Sequence, residues 1–121
     1  MATYTVTLTI QEDGVTMTGF PIVKTLTTAE SAGRQVYSRA TGGGYTELAV
    51  TEIGDVNLLM IDSDQAITFR FNDQTDGGLP LNANGLLLGV NIAIPTGATS
   101  KASADNSSGS AATITQVAGG T

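Results

Sequence analysis

The sequence predicts an all-β fold, a single-domain β-sandwich or jelly roll of about eight or nine short antiparallel strands with at most one short helix. Three observations carry that expectation. Stretches of strict alternation between apolar and polar side chains recur along the chain, at the period that sends successive side chains to opposite faces of a strand. Turn formers (Gly, Asn, Asp and Pro) separate those stretches at intervals of about ten residues. Only 13% of residues are charged, and Thr, Gly and Ala are the commonest residues, a composition poor in the Glu and Lys that helical bundles need. At 121 residues the chain forms one domain, residues 1–121, with room for a real core.

Ala2 to Ile10 alternates without a break. Tyr4, Val6, Leu8 and Ile10 share one face, and Thr3, Thr5, Thr7 and Thr9 the other. The plain reading is an antiparallel strand with a solvated threonine face. The sharper one makes residues 1–10 an N-terminal arm or edge strand that adds to a neighbouring subunit's sheet, with Thr3, Thr5, Thr7 and Thr9 as interface candidates. That stripe lacks the lysines and prolines that usually blunt an edge.

Gln11-Glu12-Asp13-Gly14 is a turn, and alternation resumes over Val15 to Thr18 until Gly19-Phe20-Pro21 interrupts it; a proline there suits an edge or a bend. Ile22 to Thr28 is a further extended segment. Thr28 to Tyr37 is the one place where a helical turn is expected, with Thr28 or Ser31 as its cap. Gly33 weakens it, and the alternative is a strand over Gln35 to Ala40. Gly42 to Gly44 is a connector, since it lacks the lysine and the strand-to-helix setting of a phosphate loop. Tyr45 to Ile53 mixes apolar residues on both parities, and Val56 to Ile61 is a nearly continuous apolar run, the mark of a central strand buried on both faces.

The stretch from Asp62 to Ile94 organises the rest. Ile67, Phe69 and Phe71 alternate with Ala66, Thr68 and Arg70, a half-buried strand; Asn72 to Gly78 forms a wide loop, and Leu86 to Ile94 reads as a second, more apolar strand paired with the first. Pro95-Thr96-Gly97 ends it, and Ala98 to Ala104 is small and polar. Asn106-Ser107-Ser108-Gly109 is a turn, and Ala111 to Val117 is a last alternating strand before residues 118–121, expected as a flexible tail.

The formal charge of −6 leaves two lysines and three arginines scattered along the chain, too few to neutralise a row of phosphates. Direct nucleic-acid binding is therefore not expected. No cysteine is present for disulfides or thiolate zinc sites, and no histidine to serve as a base or metal ligand. The usual catalytic triads are excluded, and the protein is expected not to be an enzyme. Neither a signal-peptide pattern nor an apolar run long enough to span a bilayer is seen, so no membrane partner is expected.

Two constellations remain. Asp62, Asp64, Asp73 and Asp76 cluster around two loops, and a hairpin that brought them together would make an oxygen cage for calcium. The spacing lacks the downstream glutamate of an EF-hand, and solvated turn aspartates are the bland reading. Paired carboxylates also serve glycoside hydrolysis, but three tyrosines, three phenylalanines and no tryptophan offer few stacking platforms. Arg70, between Phe69 and Phe71, either pairs across the sheet with a carboxylate such as Asp62 or Glu47 or anchors an acidic partner.

The run Asp64 to Ile94, with its D-Q-A-I-T-F-R-F-N strand, glycine-bearing loop and apolar strand, followed by N-S-S-G-S-A-A-T-I-T-Q-V-A-G-G, resembles the small virion proteins encoded among tailed-bacteriophage structural genes. The likeness lies in texture and spacing over the C-terminal half. It implies a jelly-roll or sandwich module that decorates or cements a capsid, binding the major capsid protein and copies of itself, often as a homotrimer. It also implies a virion location after assembly in the host cytoplasm, with no cofactor and no catalytic residues. The alternatives are a tail, baseplate or vertex component and, from another class, a calcium-dependent carbohydrate-binding β-sandwich.

Overall fold

The computed structural model describes residues 1–41, 45–47, 55–70, 78–94 and 103–121. Among them the chain is all-β and without helix. In order, its strands are β1 (Ala2–Leu8), β2 (Gln11–Glu12), β3 (Val15–Thr16), β4 (Ile22–Thr28), β5 (Glu30–Arg39) and β6 (Tyr45–Glu47). They continue with β7 (Val56–Ser63), β8 (Ile67–Arg70), β9 (Leu79–Leu81), β10 (Gly85–Ile94), β11 (Ser103–Asp105) and β12 (Ala112–Gly120). Short segments such as β2, β9 and β11 lift the number above the sequence expectation.

Two four-stranded antiparallel sheets form a sandwich-like body, one ordered β10-β7-β12-β5 and the other β6-β11-β8-β9. Leu59, Ile61, Ile114 and Ala118 of the first sheet meet Ile67, Phe69 and Ala104 of the second in one buried cluster. The alternation of β8 builds this directly: Ile67 and Phe69 are buried, Thr68 and Arg70 half-buried. In the first sheet β7 lies between β10 and β12 and carries apolar residues on both parities. Leu59 and Ile61 enter the sandwich, while Leu58 and Met60 face the other way. A continuous apolar run is what a strand covered on both faces requires.

Over that second face lies a two-stranded ribbon made by β1 and β4. The chain leaves it at Ala29 and enters β5 directly, so ribbon and body are joined at one corner. At the ribbon's far end β2 and β3 pair around Asp13-Gly14, whose φ angles of 51° and 81° match the D-G turn that suits tight hairpins.

Three expectations are corrected. Residues 28–37 hold no helical turn: β5 runs through Glu30–Arg39 and pairs with β12 along its length. Its half-buried positions include Gln35, Tyr37 and Arg39, and polar side chains on the inward parity hid the two-residue period. Gly33, with φ of 64°, sits where the register of β12 shifts between Ala118 and Gly119; it marks a bulge in a strand, not the end of a helix. Second, the strands at Ile67 and Leu86 do not pair. β8 pairs with β9 and β10 with β7, in different sheets, because Leu79–Leu81 takes the place beside β8 and the chain then crosses over. Pro80 is tolerated since β9 is an edge among the described residues. Third, residues 118–120 are no flexible tail. Ala118, Gly119 and Gly120 are buried at the end of β12, and Thr121 exchanges backbone hydrogen bonds of 3.0 and 2.8 Å with Asp55.

Candidate functional site

The ribbon and the sheet beneath it make the most distinctive surface of the molecule. Its local cause is the alternation of β1. Thr3, Thr5 and Thr7 point outward opposite Thr27, Thr25 and Val23 of β4 and are exposed. Thr3 and Thr27 hydroxyls lie 3.2 Å apart. Thr9, beyond the end of β1, is exposed as well. Tyr4, Val6 and Leu8 point toward the body.

Tyr4 anchors the ribbon. Its hydroxyl hydrogen-bonds the Ser31 hydroxyl and donates to the Ala118 carbonyl at 3.5 Å. Its ring lies on Gly119, where an added Cβ would stand 2.9 Å from Tyr4 Cε2 and 3.2 Å from the Thr28 hydroxyl. Only glycine leaves that space. Thr28 is buried and donates to the Ala2 carbonyl at 3.4 Å, which closes the same corner.

Farther along β1 the contact opens into an apolar cleft of about 410 Å³. Residues Tyr4 to Leu8 form one wall, and Leu58, Met60, Leu86, Leu88 and Val117 of the sheet form the floor. Leu86 is 59% exposed, and Val36, in the same cross-strand row, is 50% exposed. Toward the tip, Val15 is 70% exposed and Met17 44%, beside the carboxylates of Glu12 and Asp13 in a second, open depression. A ribbon with large apolar side chains in water is suited to contact with another macromolecule.

The residues singled out from sequence fall elsewhere. Asp62 is exposed on the ribbon side of the first sheet, in register with Leu86 and Thr115. Asp64 follows β7, and its Oδ1 accepts the Thr113 amide at 2.7 Å, the turn-forming role of a short carboxylate. Asp73 and Asp76 lie outside the described residues. No group of three or more metal-ligating side chains occurs among the described residues. Arg70 projects from the outer face of the second sheet, against Gly78, so it and Asp62 stand on opposite sides of the sandwich. The expected Asp62 pairing is thus ruled out by topology. The register sets position 47 across Ser103 from Arg70, which keeps Glu47 in the right row.

Sequence reasoning missed the cleft, although its parts were visible. The signal was the coincidence of an alternating strand, Ala2 to Leu8, with a strand apolar on both parities, Val56 to Ile61; one needs a cover and the other supplies it. What no pattern showed was that the cover is partial. No helix among the described residues is long and apolar enough to cross a membrane. Comparison with protein-family models, with curated proteins and with solved structures finds no match to this chain.

Proposed function

We propose that the protein is a non-enzymatic structural component of a bacteriophage virion, a capsid decoration or cement protein. In this reading it binds the outer capsid surface and stabilises contacts between capsomers. The observation that carries the reading is the ribbon, an extended element that holds to its body mainly at one corner and displays Ile10, Val15, Met17 and Val23 to solvent. Exposed apolar area on a projecting β element favours docking onto a shell, where burial contributes roughly 25 cal/mol per Å² before the costs of association. The texture of the C-terminal half supports the virion setting.

The test is co-sedimentation of the purified protein with undecorated capsids of the encoding phage. Binding that saturates at a fixed ratio to the capsid protein is expected. Replacing two exposed tip residues, Val15→Asp with Met17→Asp, is expected to abolish it while the fold stays intact, because neither side chain belongs to the core. No binding to the shell would overturn the decoration role. A stable ring or trimer in isolation would then favour a tail, baseplate or vertex component, and chelator-sensitive glycan binding would favour the carbohydrate module.

A further inference from the structure

We propose that the cleft beside β1 is a strand-addition site. It takes an extended segment of a partner protein that pairs with the free edge of β1, lays apolar side chains on the sheet at every second position, and sets a basic residue against Asp62. This names the partner's chemistry for the ribbon and rests on its reading as an assembly surface.

The edge comes first. β1 pairs with β4 on one side and has no strand on the other among the described residues. Its seven residues contain no lysine, proline or bulge, so nothing blunts the row of outward amides and carbonyls. The cleft lies along that edge. Of the ribbon's two strands only β1 lines it, and it does so with both parities, Thr5 and Thr7 as well as Tyr4, Val6 and Leu8. A space beneath the ribbon would be lined by the inward parity of both strands.

The floor defines the side chains an added strand must carry. Leu58, Met60, Leu86, Leu88 and Val117 offer no hydrogen-bonding side chain, so the residues facing them are apolar and repeat at about 6.6 Å, two strand residues. Main-chain pairing supplies affinity and the alternate side chains supply selectivity, as in other strand-addition interfaces. Charge defines the remaining position. Asp62 is exposed beside Leu86, the chain carries −6, and none of the floor residues is cationic; a lysine or arginine in the partner is complementary there.

A second copy of this chain does not meet these needs. The corresponding strand of another copy has its own sheet under its apolar face, fixed through Tyr4 and Gly119. Two such sheets cannot share the space below one ribbon edge.

The probe is a capped peptide matching β1 in length, alternating valine and threonine and ending in lysine, titrated into the intact chain and followed by heteronuclear NMR. Shifts and slowed amide exchange are expected along Tyr4 to Leu8 and on the floor. Leu86→Ser, at an exposed position that leaves the fold unchanged, is expected to weaken binding about tenfold. Backbone N-methylation of the peptide is expected to abolish binding. With Asp62→Lys, preference is expected to move to an aspartate-ended peptide. Absence of shifts on β1, or equal binding of the N-methylated peptide, would overturn strand addition. So would protection of the same amides by self-association without peptide. No capsid enters this experiment, so its failure and a failure of capsid binding are read separately.

Discussion

Gln116 is wholly buried in the sandwich, on the parity of Ile114 and Ala118, and neither its Nε2 nor its Oε1 has a hydrogen-bond partner among the described residues. A buried amide without partners costs about 1–3 kcal/mol relative to an apolar group of like shape. Gln116→Met is therefore expected to raise stability by about 1 kcal/mol, measured as an upward shift of the urea midpoint at unchanged slope. Asn106 shows the opposite case. Its Nδ2 donates to the Arg39 and Ser110 carbonyls at 2.9 and 2.8 Å, and its Oδ1 accepts the Ser108 amide and hydroxyl at 3.1 and 2.7 Å. The turn at Asn106-Ser107-Ser108-Gly109 was legible from residue types alone, since Asn closes turns through its own side chain. The burial of that side chain was not, because Arg39 is distant in sequence and reaches it only through the pairing of β5 with β12.

Among the elements, the ribbon is the least securely held. Of its inward side chains Tyr4 and Val6 are half-buried and Leu8 is exposed, where Leu59 and Ile61 of β7 are buried, and its hydrogen bonds to the body gather at Tyr4. Elements with few buried contacts open at lower free energy than the core. Tyr4→Ala is expected to speed amide exchange throughout β1 and β4 while β7 and β12 keep their protection, a result that hydrogen-exchange mass spectrometry resolves segment by segment. Equal acceleration in β7 and β12 would show instead that ribbon and body unfold as one unit. Strand existence was legible for β1, β4, β7, β8 and β12, each of which alternates or runs apolar according to whether one or both of its faces is covered. β5 was legible only in its second half, as the alternative strand over Gln35 to Ala40, because its inward positions include Gln35 and Arg39, and side chains of that kind read as surface. The guanidinium carbon of Arg39 stacks 4.8 Å from the centre of the Tyr37 ring, a contact that lets a cation sit on an inward parity.

At the scale of the whole molecule, stability resides in the layer between the two sheets. Phe69 is its largest fully buried side chain among the described residues and belongs to the short β8, so Phe69→Ala removes contacts from both sheets at once. A loss of about 3–5 kcal/mol is expected, read by denaturant unfolding, and it consumes much of the 5–15 kcal/mol available to a domain. The sequence by itself determined the class of fold. A two-residue period, many turn formers and little charge leave room for at most one short helix, and the apolar run at Val56 to Ile61 demands cover on both sides. It also determined which parity of β1 is apolar, since alternation needs no partner to be recognised. Only the tertiary structure decided pairing: that Leu79–Leu81 takes the place beside β8, that β10 joins β7, and that residues 118–120 complete a buried strand. Periodicity is a property of one segment, whereas pairing is a competition among all segments, settled by chain crossings and by burial that no single segment encodes. The cleft beside β1 is a product of that competition, where a ribbon joined at one corner covers only part of the apolar face that the strands of the first sheet present.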